Sequence, residues 1–348
     1  VNDSQGLLPQ VQARLNLRFQ LQPRLIAIDM DGTLLGTDGK VSARNLAAVK
    51  SATDAGIEIV VATGRRHSYA MRVLRPLDLP DANILVSSNG TVTRTVGATL
   101  IDRTLLSCET ALWLCRHLEE FRNALVITFD LVQPDGEDAR GALIVEELEN
   151  LHGSIGRWME ANAPYIDQVV PIEEALRGPR APIQMMLCGT IERMRRAEAK
   201  LLEHPGVFAV GISAPDQLAT AEVTLSRTEY PERDLSLVDI LPAGCSKGVA
   251  LLRLGAELGI DPVEMMAIGD NWNDLSMLEI AGTAVLMENA PEDLKQVALE
   301  QGWTIGGHHD RDGVAEVIEA CLSVPQTAVT SEPQEDGMRG NLGVSLEA

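Results

Sequence analysis

The stretch Leu25-Ile26-Ala27-Ile28-Asp29-Met30-Asp31-Gly32-Thr33 constrains this chain more than any other. Four apolar residues in a row, bounded by polar and glycine signals, suit a buried strand of a parallel sheet. Asp29 and Asp31 follow at a spacing of two, so the strand offers both carboxylates the same way as it runs out. Gly32 allows backbone conformations that other residues avoid. Acids at such a strand end sit at the carboxyl edge, where open α/β sheets bind ligands. Two carboxylates that close raise each other's pKa unless a cation lies between them. A Mg2+ ion is hard, prefers oxygen and coordinates phosphate, so it would relieve the repulsion. The same residues also make an ordinary Asp-Gly turn, and on this stretch alone both readings stand.

The apolar rhythm then repeats. Residues 42–55 read as a helix with Ser42 as its N-cap and Leu46, Val49 and Ala52 on one face. Residues 57–62 form a second strand, ending in Thr63-Gly64-Arg65, and a helix runs from His67 to Leu74. Residues 84–86 form a third strand, ending in Ser87-Ser88-Asn89-Gly90. Such strand–helix alternation implies a parallel sheet with right-handed crossovers. After Gly90 the pattern changes. Residues 91–102 alternate around Val96-Gly97 as a hairpin. Helices over 109–121, 153–163 and 191–203 then mix with strands over 125–131, 182–188, 207–212 and 221–225. This α+β patterning predicts an inserted domain over 91–242. The α/β rhythm returns at Ser246-Lys247-Gly248, which opens a helix through Leu258 closed by Gly259. A strand over 265–268 ends in Gly269-Asp270-Asn271-Trp272-Asn273-Asp274. A helix over 275–280, a strand over 284–286 and helices over 291–300 and 313–321 complete the core, which therefore spans 24–90 and 243–322. Residues 1–23 read as an N-terminal extension, and 323–348, rich in Pro, Ser, Gln, Glu and Gly, as a disordered tail.

Composition narrows the function. The 348 residues allow two domains at about 150 residues each. A net charge of −21 and 3% aromatic residues argue against a nucleic-acid or anionic-membrane partner. No apolar run approaches the ~18 residues of a membrane span. Five cysteines without a CxxC pair read as reduced thiols of a cytoplasmic protein, acting as a monomer or homodimer. An acidic protein that binds a phosphorylated metabolite needs a local positive centre, which a metal and a few placed Lys or Arg residues supply. His308-His309-Asp310 is weak evidence for a second metal, because adjacent histidines seldom converge on one ion.

Four strand ends thus carry polar clusters: Asp29/Asp31, Thr63-Gly64-Arg65, Ser88-Asn89-Gly90 and Asp270/Asn273/Asp274. Taken singly, Thr63-Gly64 could cap a helix, Asn89-Gly90 could be a turn and Lys247 could be a solvated surface residue. Together they would meet at one sheet edge. The order and spacing of Asp29-Met30-Asp31-Gly32-Thr33, Thr63, Lys247 and Gly269-Asp270-Asn271-Trp272-Asn273-Asp274 resemble the haloacid dehalogenase-like superfamily. Within it, the chain is similar to the Cof-type, subclass IIB phosphatases over residues 24–322. The resemblance implies a Rossmann-like three-layer α/β core with a C2-type α+β cap inserted after the third strand. It implies that Asp29 is the nucleophile, forming an aspartyl-phosphate, and that Asp31 is the acid/base, its pKa raised while Asp29 stays ionised. Mg2+ would be held by Asp29, the backbone carbonyl of Asp31, and Asp270. Thr63, Gly64, Arg65, Asn89 and Asn273 would bind the phosphoryl group or substrate. Lys247 would stabilise the transferring group, and Asp274 would hold Lys247. The activity implied is hydrolysis of a small phosphorylated metabolite, sugar phosphates foremost. A phosphotransferase with another acceptor and a catalytically silent phosphometabolite-binding protein are the alternatives. A receiver-like domain is disfavoured by the large insertion.

Overall fold

The computed structural model describes residues 22–147 and 155–323. Nearly all of the expected N-terminal extension, the tail beyond Ser323 and the start of the helix expected at 153 lie outside the described residues. The first half of the core runs β1 (Leu25–Ile28), α1 (Ala43–Asp54), β2 (Glu58–Ala62), α2 (His67–Leu74), β3 (Ile84–Ser87), β4 (Val92–Thr95) and β5 (Leu100–Arg103). A second unit follows with α3 (Cys108–His117), β6 (Leu125–Thr128), β7 (Leu143–Val145), α4 (Gly156–Asn162), β8 (Ile166–Gln168) and β9 (Gln184–Gly189). It continues through α5 (Ile191–Leu202), β10 (Val207–Ala209), β11 (Val223–Tyr230) and β12 (Leu235–Pro242). The chain then returns to the core with α6 (Lys247–Leu258), β13 (Met265–Gly269), α7 (Leu275–Ile280), β14 (Thr283–Leu286), α8 (Glu292–Gln301), β15 (Thr304–Ile305) and α9 (Gly313–Leu322).

The core sheet has the order β15-β14-β13-β1-β2-β3-β4-β5. Pairing is parallel from β15 through β3. The chain winds outward from β1 in one direction through β2 and β3, and from β13 in the other through β14 and β15. The reversal point therefore lies between β1 and β13, which is where doubly wound sheets open a crevice. Strand β1 is buried on both faces, and its side chains divide by the period of two. Leu25 and Ala27 pack with Ala250, Leu251, Leu254 and Leu294 of α6 and α8. Ile26 and Ile28 pack with Ala48, Val49, Ala52, Val314 and Ile318 of α1 and α9. Three layers result, and each fully buried Leu or Ile contributes roughly 1.5–3 kcal/mol. Ser42 caps α1 as expected, accepting from the Asn45 backbone N–H at 3.0 Å.

The hairpin at 91–102 differs from its expected placement. It forms as a hairpin, but β4 pairs antiparallel with β3 and β5 with β4, so it widens the core sheet rather than opening the inserted domain. Alternating residues specify a hairpin without saying which sheet its edge will join, so the boundary expected at 91 falls inside the core sheet. The inserted cap has its own mixed sheet, ordered β10-β11-β12-β9-β6-β7-β8. One face of that sheet (Leu125, Ile127, Met185, Leu187, Val223, Leu225, Val238, Ile240) packs under α3 and α5 around Leu114, Met194 and Leu201. Strand β12, absent from the sequence reading, is central to it. Asp239 in its middle and Pro242 at its end hide the strand from pattern analysis. Among the described residues no helix is long and apolar enough to cross a membrane.

Helices α6 and α7 approach closely at Gly248, where an added Cβ would lie 2.2 Å from the Ser276 backbone oxygen. Gly248→Ala is therefore expected to destabilise the protein by about 1–3 kcal/mol, the usual cost of overpacking. A urea unfolding midpoint shifted downward with the slope unchanged checks this.

Candidate active site

The sheet register brings the strand ends together. Ile28 is level with Ile268 of β13 and Val61 of β2, so Asp29, Asp270 and Thr63 emerge side by side. The Asp29 backbone N–H donates to Ile268 O at 2.9 Å, which fixes the turn out of β1. Asp29, Asp270 and Asp274 are buried, with carboxylate oxygens within 4.8 Å of one another. Lys247 is fully buried between two of them. Its Nζ donates to Asp29 Oδ1 at 2.6 Å and to Asp274 Oδ1 at 2.6 Å.

Lys247 opens α6, behind the N-cap Ser246. A cation at a helix N-terminus faces the positive end of the dipole. Its two carboxylate partners explain why a lysine stands there. The other oxygen of Asp274 accepts from the backbone N–H groups of Asp270 and Asn271, at 2.9 and 3.0 Å. Asp274 is thus engaged on both oxygens and holds Lys247 and the 270–274 loop together. Asp270 has looser partners. It accepts from Thr33 Oγ1 and from Asn289 Nδ2, each at 3.2 Å. Gly32, at φ +84°, lies against it, and a Cβ there would come within 2.2 Å of Asp270 Oδ2.

This set fits a hard divalent cation. Buried oxygens converge, Asp29 Oδ2 has no donor among the described residues, Asp270 has only long ones, and one lysine does not balance three carboxylates. The imbalance marks the titration as well. Burial first, then repulsion from Asp274 and Asp31, pushes Asp29 from 3.8 up to about 7 against the opposing pull of Lys247. Burial and Asp29 raise Asp270 well above the usual carboxylate range.

Asp31 departs from its expectation. Arg65 grips it bidentately, Nε to Oδ2 at 2.7 Å and Nη2 to Oδ1 at 2.6 Å. The nucleophile was expected to stay ionised, whereas burial raises Asp29; Asp31 stands half-exposed in its ion pair. The sequence reading did not pair Arg65 with Asp31. Arg65 also lies over the Tyr69 ring at 4.7 Å.

The remaining residues fall into place around this centre. Thr63 is buried, and its Oγ1 accepts from the Arg65 N–H at 3.1 Å. It does not cap α2, whose N-cap is Arg66. Gly64 faces the Asn89 amide, which an added Cβ would approach to 3.2 Å. Asn89 takes a left-handed conformation, φ 52°, and its Oδ1 accepts from Asn273 Nδ2 at 3.2 Å. His308, His309 and Asp310 do cluster, but their polar atoms serve the loop. His309 Nδ1 meets Leu35 O at 2.7 Å, and Asp310 accepts from the Thr37 N–H and Oγ1, each at 2.7 Å.

Three residues escaped the sequence reading. Asn289 Nδ2 bridges Gly32 O at 2.8 Å and Asp270, while its Oδ1 accepts from the His309 N–H at 3.2 Å. It follows β14, a fifth strand end to which the logic of the other four was not applied. Asp239 and Tyr230 come from the cap. Asp239 Oδ2 accepts from Asn89 Nδ2 at 2.9 Å. The Tyr230 hydroxyl is raised by burial and by the negative field of Asp31, Asp270 and Asp29. No local motif marks either one. The neighbouring Glu229 backbone clasps Asn271, its O accepting from Nδ2 at 3.0 Å and its N–H donating to Oδ1 at 3.3 Å.

A profile of the haloacid dehalogenase-like hydrolases matches residues 26–318. The chain belongs to that family. It is an enzyme of the phosphatase kind. The 5-amino-6-(5-phospho-D-ribitylamino)uracil phosphatase of Bacillus subtilis (strain 168) is 31% identical over 86% of this chain and 98% of its own length. The HMP-PP phosphatase of Serratia proteamaculans (strain 568) is 28% identical over 89% and 99%. A solved haloacid dehalogenase-like hydrolase from B. subtilis superposes with a TM-score of 0.62 at 25% identity, covering 85% of this chain and 99% of that one.

The raised Asp29 makes a prediction for this family member without metal. Between 3.8 and about 7 the folded chain holds a proton that the unfolded chain has lost. Stability of the metal-free protein therefore falls as pH rises through that window. Asp29→Asn removes the titrating group. In EDTA the parent's melting temperature is expected to fall more steeply from pH 5 to pH 8 than that of the variant, whatever constant offset the lost Lys247 partner adds, as read by scanning fluorimetry.

Proposed function

We propose that this enzyme is a Mg2+-dependent phosphomonoesterase of small phosphorylated metabolites, sugar phosphates foremost, working through an aspartyl-phosphate on Asp29. One observation carries the reading: Asp29 is buried, lies 2.6 Å from a fully buried Lys247 and sits beside Asp270 at the reversal point of the sheet. A buried carboxylate that must stay nucleophilic needs cationic partners, and a transferring phosphoryl group needs the same charges.

Asp29 attacks phosphorus in line, so one O–P bond forms as the bond to the leaving oxygen breaks. Asp31, released from its ion pair with Arg65 and protonated, gives the proton to that oxygen and later takes one from the attacking water. Lys247 faces the charge that develops on the phosphoryl oxygens, and Thr63 donates its hydroxyl to one of them. Asn89 and Asn273 supply amide donors from the opposite loops. Asp29, Asp270 and the backbone carbonyl of Asp31 would hold Mg2+, whose charge offsets that of the phosphoryl group. Asn289 keeps Asp270 turned toward that position. Relatives named as a 5-amino-6-(5-phospho-D-ribitylamino)uracil phosphatase and as an HMP-PP phosphatase support small phosphorylated substrates.

A screen of phosphorylated metabolites for phosphate release, without added acceptor, tests the reading and separates hydrolysis from transfer. Asp29→Asn is expected to lower kcat by about a thousandfold or more, as loss of a covalent nucleophile does. Wild-type-like turnover in the variant, with deamidation excluded by mass spectrometry, refutes the assignment. EDTA is expected to stop phosphate release and Mg2+ to restore it. Asn289→Ala is expected to weaken Mg2+ binding by about 10–100-fold, the usual cost of losing a partner behind a metal ligand, as titration calorimetry reads directly.

A further inference from the structure

The cap sheet has a second face, opposite the one beneath α3 and α5. On β11 it carries Thr224, Ser226, Thr228 and Tyr230, every second residue. Ser226 stands level with Asp239 on β12, and Asp239 with Met186 on β9. Two links fix this face over the catalytic loops: Asp239 with Asn89, and the Glu229 backbone with Asn271.

Asp239 is 5% exposed, yet it accepts one hydrogen bond only, at Oδ2 from Asn89. Among the described residues nothing donates to Oδ1. The hydroxyls of Ser226, Thr228 and Tyr230 likewise have no side-chain or backbone partner there. Oδ1 is not sealed from water, nor are the three hydroxyls, so the unpaired carboxylate oxygen fronts a space that a ligand can enter. This face has no cation of its own to satisfy it. A ligand bearing donors would.

We propose that Asp239 is a specificity-determining residue of the cap, reading hydroxyl or amine donors on the leaving group, with Ser226, Thr228 and Tyr230 completing a hydroxyl-lined wall beside it. The inference rests on the phosphatase reading and deepens it. A leaving group with several hydroxyls gives Asp239 Oδ1 its missing donor and gives the wall hydroxyls partners of either sense. An alkyl leaving group leaves all of them unpaired, and sites built for hydrogen bonding discriminate strongly against analogues that lack the group.

Asp239 also touches Asn89, so it could act solely by positioning that amide. The two roles separate by substrate. Positioning Asn89 serves the phosphoryl group, which every substrate shares, whereas reading the leaving group does not. The probes are sorbitol 6-phosphate and n-hexyl phosphate, matched in chain length and differing in hydroxyls. The wild-type enzyme is expected to favour sorbitol 6-phosphate in kcat/KM. Asp239→Ala is expected to reduce the ratio of the two kcat/KM values at least tenfold, whatever loss is common to both. Asn89→Ala is expected to slow both substrates while keeping their ratio within twofold. An unchanged ratio in Asp239→Ala overturns the proposal and leaves Asp239 a positioning residue. Should that variant not fold, the wild-type comparison decides: equal kcat/KM for the two probes overturns it as well. A wild-type enzyme that releases phosphate from neither probe nor from p-nitrophenyl phosphate with Mg2+ instead removes the phosphatase reading, and this inference with it.

Discussion

A lysine ammonium sealed between two aspartates governs this molecule. Lys247 has no access to water, so its charge survives only through Asp29 and Asp274. Taking one partner from such a buried pair typically costs 3–5 kcal/mol, because an uncompensated charge remains. The three residues come from the end of β1, the start of α6 and the turn after β13. Their pairing therefore locks together segments from both halves of the core. It also sets the electrostatics. Three buried carboxylates against one ammonium leave a negative excess, and Asp29 and Asp270 take up protons more readily because of it. The same excess makes the pocket receptive to a hard cation and, through that cation, to a phosphoryl group.

Around this pair the site is arranged in tiers. Asp274 spends all its bonding on Lys247 and on two backbone N–H groups, which makes it a brace. Asp270 keeps loose contacts to Thr33 and Asn289 and stays available. Asp31 is turned and charge-paired by Arg65 at the mouth. The cap completes the enclosure with strands β12 and β11, which meet the asparagines of two core loops through the Asp239 side chain and the Glu229 backbone.

Much of the core was legible in the sequence, because its determinants are local. The run Leu25–Ile28 followed by Asp29 and Asp31 specifies strand, edge and acid in seven residues. Ser42 as a cap and Gly259 as a left-handed helix stop read equally well. What escaped depends on long-range partners. The hairpin at 92–103 was legible as a hairpin, but only pairing with β3 assigns it to the core. The Arg65–Asp31 grip needs the relative height of two strand ends. Asp239 and Tyr230 sit on strands whose register against the catalytic loops no local pattern encodes. Asn289 was the avoidable omission, since it follows a strand just as Asp270 does.

The strand pairing also dictates an order of assembly. β1 lies mid-sheet, yet one of its two neighbours, β13, is made only after the entire cap has been synthesised. The cap sheet, by contrast, is built from strands continuous in sequence. A nascent chain thus carries a naked, fully apolar central strand edge throughout translation of the insertion. Such non-local pairing slows folding and prolongs exposure to aggregation. The protection of that edge during biosynthesis then falls to early helices such as α1 or to chaperones, and the reactive centre becomes whole only after the cap and β13 have both been made.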